Sequence, residues 1–147
     1  MDPETIKDIS KEERKRQEAI FELISTERSY LRDLQMIVEL FYGPLQNILS
    51  SVELNIIFSN VEDILLCNTT ILSDLEQRQK DDNLFVNDVG DLLLKHSEDL
   101  KCYEIYCGNQ LNASKFLQKK RTEDRNFADF LKVNFSPSII TVLYNLY

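Results

Sequence analysis

The chain has 147 residues, of which 43% are hydrophobic and 29% are charged, a balance typical of one globular domain with a moderate core. Three glycines and three prolines favour long helices over a turn-rich β architecture. The net charge of −8 argues against nucleic acid as the main partner, because phosphate binding needs clustered lysines and arginines. No apolar stretch reaches the length of a membrane span, so direct membrane binding by this segment is not expected.

The histidines, cysteines and carboxylates of the sequence do not form the patterns that indicate metal binding or covalent catalysis. His96 is the only histidine, and Cys102 and Cys107 would lie on different sides of a helix, so we expect no zinc site and no cofactor. No glycine-rich phosphate loop and no nucleophile elbow occurs, and the carboxylates fall mostly on polar faces. Three cysteines without a signal peptide predict a reducing, cytoplasmic setting rather than a disulfide framework.

The first predicted helix runs from about Lys11 to Tyr42. Ser10 is its expected N-cap, and Glu13 follows at the spacing of a capping box. An ion pair between Glu12 and Arg16 is expected on the solvated first turns.

Further helices follow in chain order. Gly43-Pro44 is predicted to end the first helix, with the glycine in the left-handed cap conformation. A polar loop at Gln79–Asn83 and a basic turn at Lys119–Arg121 separate some of the later helices. Those helices are predicted at about Val52–Arg78, with Cys67 as a small core residue, and at about Val86–His96, Glu98–Lys119 and Glu123–Val133.

One polar residue interrupts the apolar face of the first helix. Ile20, Leu34 and Phe41 are spaced by sevens, and Glu27 stands where an apolar residue is expected. A carboxylate on a core-facing stripe is costly unless something pairs with it. Two interpretations stay open at this point: Glu27 lies where the stripe surfaces, or it is held ready for a partner. The alternate positions of the same stripe are Leu23/Ile24, Tyr30/Leu31 and Ile37/Val38.

Residues 16–34 read RQEAIFELISTERSYLRDL, which closely resembles the first conserved region of the Dbl-homology domain, the exchange-factor module of Rho-family GTPases. The resemblance implies an all-α, elongated helical bundle and a Rho-family small GTPase as the partner. It also implies that Glu27 binds the GTPase by reaching its first switch segment. Thr26 and Tyr30 are expected to be structural, Thr26 by bonding back to a carbonyl one turn earlier. The matching marks are Glu22-Leu23, Thr26-Glu27, Tyr30 and Asp33-Leu34.

The resemblance continues along the chain but does not reach the family's third conserved region. No Gln-Arg or Arg-Tyr pair of that region occurs after Arg125. We therefore expect a flexible N-terminus at residues 1–10, a partial Dbl-homology domain at residues 11–132, truncated before the last long helix, and a divergent tail at residues 133–147. The words CNTTIL and CGNQLNA are similar to the intersectin branch and to fungal Rho exchange factors. The second region is matched by Tyr103, Tyr106-Cys107, Asn109-Gln110, Ala113 and Leu117, and the helix after it by Phe127, Phe130 and Leu131.

Two functional hypotheses follow from these patterns. The first is a guanine-nucleotide exchange factor module that promotes GDP release and makes no covalent bond, so it is not an enzyme in that sense. The second is a non-catalytic helical module that binds a GTPase without releasing nucleotide, or that self-associates through the face left open by the missing helix.

Overall fold

A computed structural model describes residues 9–83 and 85–134, and every regular element among them is helical. This confirms the all-α prediction. The described residues form two compact units: those up to Arg32 with Leu66–Leu100, and Asp33–Leu65 with those from Lys101 onward. In chain order the elements are α1 (Lys11–Ile37), a π-helical segment (Val38–Tyr42), α2 (Gly43–Leu45), α3 (Ser51–Phe58), α4 (Val61–Asp81), α5 (Gly90–Lys95), a 3₁₀ helix (Asp99–Lys101), α6 (Cys102–Glu123) and α7 (Arg125–Asn134).

Helix α1 begins at the predicted cap. The Glu13 backbone N–H donates to Ser10 Oγ at 3.1 Å. The predicted Glu12–Arg16 pair is wrong, since Arg16 Nη2 instead lies 2.6 Å from Glu13 Oε1, one turn away at i,i+3. The Arg16 guanidinium also donates to the carbonyl of Val86 at 3.1 Å. Glu13 therefore orients an arginine that reaches a distant loop.

Residues 86–89 have no regular secondary structure, although the sequence predicted helix there. Gln17 explains the difference: its Oε1 accepts from the Val86 N–H at 3.0 Å, and its Nε2 donates to the Val86 carbonyl at 2.7 Å. Because this side chain satisfies both backbone groups, Val86 needs no helical ladder. Val86 is 1% exposed, and helix α5 starts only at Gly90.

The first helix does not end at Gly43 as predicted. Gly43 has φ −56°, in the right-handed helical region, so it is not a left-handed cap. Pro44 has no N–H to donate to the carbonyl of Leu40, which removes one bond of the ordinary ladder. The Gly43 N–H bonds instead to the Val38 carbonyl, five residues back, which is the π-helical pattern.

The predicted second helix is two helices. Helix α3 starts with a full capping box between Ser50 and Glu53 and ends at Ser59, which has φ 50° and ψ −125°. A non-glycine residue rarely adopts this conformation, and it interrupts the helix before α4. Helix α4 then continues through Asp81, so the predicted loop begins only at Asp82.

The predicted basic turn before the last helix is wrong as well, because α6 continues through it to Glu123. Helix α7 is capped by Asp124, whose Oδ1 accepts from the Phe127 N–H at 3.1 Å. Lys120 Nζ lies 2.6 Å from Glu53 Oε1 and 2.9 Å from Asp124 Oδ2. This lysine is thus held in α6 by carboxylates on both sides.

Each unit has its own apolar core. Cys67 is buried in the first unit, which confirms its predicted role as a small core residue. On α6, Cys107 and Leu111 are exposed, because the buried face of that helix uses Tyr106, Ala113 and Leu117. The buried side chains of the first unit are Ile20, Ile24, Leu31, Cys67, Asn68, Ile71, Leu72, Leu75, Val86 and His96. Those of the second are Leu34, Ile37, Phe41, Leu45, Leu49, Ile57, Phe58, Val61, Ile64, Tyr106, Ala113, Leu117, Phe127 and Leu131.

No single helix among the described residues is long and apolar enough to span a membrane; α3 and α4 meet that criterion only when the two are counted together. Most of the predicted flexible N-terminus and divergent tail, at residues 1–8 and 135–147, lies outside the described residues.

Candidate functional site

The apolar stripe on α1 is buried as the sequence predicts. Ile20 is 8% exposed and Leu34 is fully buried, and these are the stripe positions on either side of Glu27. Ile24 and Leu31, one turn before and after Glu27, are also buried. Glu27 therefore stands on the face of α1 that packs against the core.

The Glu27 side chain is half-buried and carries an unsatisfied atom. Its Oε1 is enclosed by protein, and no hydrogen-bond partner for it occurs among residues 9–83 and 85–134. Burial raises the pKa of Glu27, because desolvation disfavours the charged form. An enclosed acceptor without a donor costs on the order of 1–3 kcal/mol. The side chain is therefore held in an unfavourable environment rather than resting in water.

Thr26, the residue before Glu27, is engaged with its own helix. Its hydroxyl donates to the carbonyl of Glu22 at 2.8 Å and lies 3.0 Å from that of Leu23. This confirms the predicted bond to a carbonyl one turn earlier. Tyr30, one turn after Thr26, is half-buried in the same unit.

Arg28, the residue after Glu27, ties α1 to α4. Its Nη2 lies 2.7 Å from Glu76 Oε1, and its Nε donates to the same oxygen at 2.8 Å. Both side chains are about one-third exposed, so the pair contributes modestly to stability, roughly 0–1 kcal/mol. The Arg28–Glu76 pair mainly holds the turn of α1 that carries Glu27 in place against α4. The local sequence pattern gave no signal of this pair, because its members are 48 residues apart.

The described part of the chain brings together no group of three or more histidine, cysteine, aspartate or glutamate side chains that could hold a metal ion. All three cysteines are free, and Cys67 is buried while Cys107 is exposed.

Sequence reasoning missed a second polar cluster in the first unit. His96 is 3% exposed, and its ring contacts the carboxylates of Asp74 and Asp99. Asp74 and His96 are 22 residues apart and lie in different elements, so no local spacing indicated the contact.

The RhoGEF domain model matches residues 19–139 of the chain. This chain belongs to the RhoGEF family. The match covers well over half of the sequence and includes residues 19–34, the part of the first-region word that carries Glu27, which confirms the resemblance to the Dbl-homology domain.

Relatives of the chain include proteins far longer than it is. It is 37% identical over 131 residues to the myosin-M heavy chain of Dictyostelium discoideum, covering 88% of this chain and 8% of that protein. It is 36% identical over 124 residues to human intersectin-1, covering 82% of this chain and 7% of that protein. The predicted similarity to intersectins is thereby confirmed, and the RhoGEF chain spans less than a tenth of either relative.

Solved structures show the same fold. The DH/PH domains of p115-RhoGEF match with a TM-score of 0.86 and 24% identity, over 99% of this chain and 43% of that one. The PDZ-RhoGEF DH/PH domains, solved in complex with GTPγS-activated RhoA, match with a TM-score of 0.87 and 22% identity, over 99% of this chain and 43% of that one. The all-α fold of the Dbl-homology type is therefore confirmed.

Proposed function

We propose that this chain is a guanine-nucleotide exchange module that promotes GDP release from a Rho-family small GTPase, with Glu27 at the contact. The observation that carries the proposal is the enclosed, unsatisfied Oε1 of Glu27, within the sequence word that marks the family. A relative with the same fold, PDZ-RhoGEF, has been solved in complex with RhoA, which supports a Rho-family partner. The cytoplasmic location stays a prediction.

The proposed reaction is a shift of a binding equilibrium and involves no covalent step. An exchange factor binds the nucleotide-free GTPase more tightly than the loaded form, and the ratio of the two affinities sets how far nucleotide is released. A hundredfold ratio corresponds to about 2.7 kcal/mol of differential binding. The exchange module must therefore make contacts that the nucleotide-bound GTPase cannot offer.

Glu27 is suited to such a contact. Its carboxylate is already desolvated in the free protein, so binding does not have to remove its full water shell. A hydroxyl or amide N–H from the first switch segment would donate to Oε1 and relieve the unsatisfied acceptor. A charge-assisted hydrogen bond of this kind contributes about 1.5–3 kcal/mol, which is comparable to the differential binding required. Holding the switch segment in this way would keep it from the nucleotide site.

The test is the release rate of a fluorescent GDP analogue from a panel of Rho-family GTPases. We expect the chain to accelerate release and Glu27→Ala to abolish the acceleration. Glu18→Ala is the matched control, because Glu18 lies exposed on the same helix, and it should behave as the wild type. Circular dichroism of both variants must show unchanged helicity. Equal acceleration by wild type and Glu27→Ala would contradict the proposed role of Glu27.

A non-catalytic interaction module is the second candidate. Ile105 and Leu111 on α6 are 63% and 65% exposed, and large apolar side chains at such exposure favour association. This candidate predicts GTPase binding that is insensitive to nucleotide state, or an oligomer that grows with concentration in analytical ultracentrifugation. A folded chain that shows either behaviour and releases no nucleotide from any panel member would favour it over exchange.

A further inference from the structure

His96 lies at the corner between α5 and the 3₁₀ helix, enclosed by carboxylates. Its Nε2 is 2.7 Å from Asp74 Oδ2, and its Nδ1 is 3.1 Å from Asp99 Oδ2. The ring is 3% exposed, while Asp99 is 60% exposed. Both ring nitrogens thus face oxygen atoms of acidic side chains.

The chemistry of imidazole makes this geometry dependent on a proton. Neutral imidazole has one N–H donor and one lone-pair acceptor, whereas an ionised carboxylate only accepts. With a neutral ring, one of the two contacts would therefore bring the lone pair of a ring nitrogen against a lone pair of a carboxylate oxygen. Imidazolium has two N–H donors and satisfies both contacts at once. We propose that His96 is a proton-operated clamp that, when protonated, joins α4 to the corner formed by α5 and the 3₁₀ helix.

The charges around the ring support this proposal. Among the described residues, three charged groups act on it: Asp74 from α4, Lys95 from α5 and Asp99 from the 3₁₀ helix. Lys95 Nζ lies 2.6 Å from Asp74 Oδ2, the same oxygen that His96 contacts. Two carboxylates and one ammonium leave one negative charge, which a protonated His96 neutralises. Hydrogen bonds to Asp74 and then Asp99 raise the pKa of His96, against opposing effects of burial and Lys95.

The direction of the pH effect follows from linkage. A histidine whose pKa is higher in the folded than in the unfolded state stabilises the fold fully below its unfolded value, about pH 6.5. That stabilisation is lost as pH rises through the folded-state value. The clamp therefore tightens the α4–α5 region of the first unit in acid and releases it in base, independently of nucleotide exchange.

The sole histidine makes the proposal directly testable. We would follow the single imidazole signal of the full chain by NMR from pH 5 to pH 9. A midpoint above about 6.5 in the wild type, lowered by Asp74→Asn and by Asp99→Asn, is the expected result. Asp91→Asn is the matched control, because Asp91 pairs with Arg78 at 2.7 Å on the same α5 region and should leave the midpoint unchanged. A wild-type midpoint at or below about 6.5 would overturn the clamp.

A second measurement tests the effect on the fold. Urea unfolding of the wild type and of His96→Gln would be compared at pH 6 and pH 8.5. Each unit by which folding raises the pKa of His96 changes the unfolding constant by up to tenfold. The unfolding constant of His96→Gln relative to that of the wild type should therefore fall between pH 6 and pH 8.5, by up to tenfold for each such unit. A ratio of unfolding constants that is the same at both pH values would also overturn the proposal.

Discussion

Replacing Glu27 with methionine should stabilise the protein while removing the proposed exchange activity. Methionine has nearly the same length and helix propensity as glutamate, so the change isolates the carboxylate. In the wild type, Oε1 is enclosed without a donor among the described residues. Leaving such an atom unpaired costs about 1–3 kcal/mol. Because the side chain is only partly buried, we expect a gain near the lower end, about 1 kcal/mol.

The assay is urea and thermal unfolding of the wild type and Glu27→Met, with nucleotide release measured in parallel. For a chain of this length, a gain of about 1 kcal/mol raises the melting temperature by about 3 °C. The control is Glu18→Met, which makes the same chemical change at an exposed site of α1 and should leave stability unchanged.

The pH dependence gives this prediction a sharper test. Burial raises the pKa of Glu27 in the folded state, so its ionisation destabilises the fold as pH rises above the unfolded value of about 4.3. The advantage of Glu27→Met should therefore be larger at pH 7 than at pH 4.5. A variant less stable than the wild type at pH 7, or an advantage that does not grow with pH, would refute the reasoning.

Two further changes test the local geometry of the fold. Ser59→Gly should raise the free energy of unfolding by about 1 kcal/mol, because φ 50° with ψ −125° strains a residue that has a Cβ. Urea unfolding would measure this gain. Ser59→Ala, which keeps the Cβ, should give no such gain. Gln17→Ala should lower the free energy of unfolding by about 1–2 kcal/mol, because it leaves the enclosed Val86 N–H without its partner. The exposed Gln77→Ala serves as its control, and an equal loss in both variants would argue against the Val86 contact as the cause.

The place of Glu27 on the buried face of α1 could be predicted because it depends on a local repeat. Apolar residues at Ile20 and Leu34 defined a stripe, and Glu27 was visible as its exception. The structure buries both flanking residues. The unsatisfied oxygen could not be predicted, since it depends on which donors the surrounding helices bring within reach.

The helix ends that were missed share a physical cause. The apolar pattern continues through Ser59, with Phe58 and Val61 buried on either side, so periodicity alone indicated one helix. The local pattern around Val86 predicted helix, since the side chain that bonds to its backbone, Gln17, is 69 residues away and cannot be seen in that pattern. In both cases a backbone conformation or a distant side chain decides the local structure, and neither appears in a spacing rule.

Three titratable groups of the first unit, Glu13, Glu27 and His96, begin to change the stability of the fold at different pH values. Arg16 holds the pKa of Glu13 at about 2, so that carboxylate stabilises the fold above about pH 4.3 and loses its effect as pH falls toward 2. Ionisation of Glu27 begins to lower the stability of the fold above about pH 4.3. Deprotonation of His96 begins to lower it above about pH 6.5. Glu27→Met should flatten the first decline and His96→Gln the second. A carboxylate that weakens its own fold at neutral pH is expected to persist only where another task requires it, and this supports a binding role for Glu27.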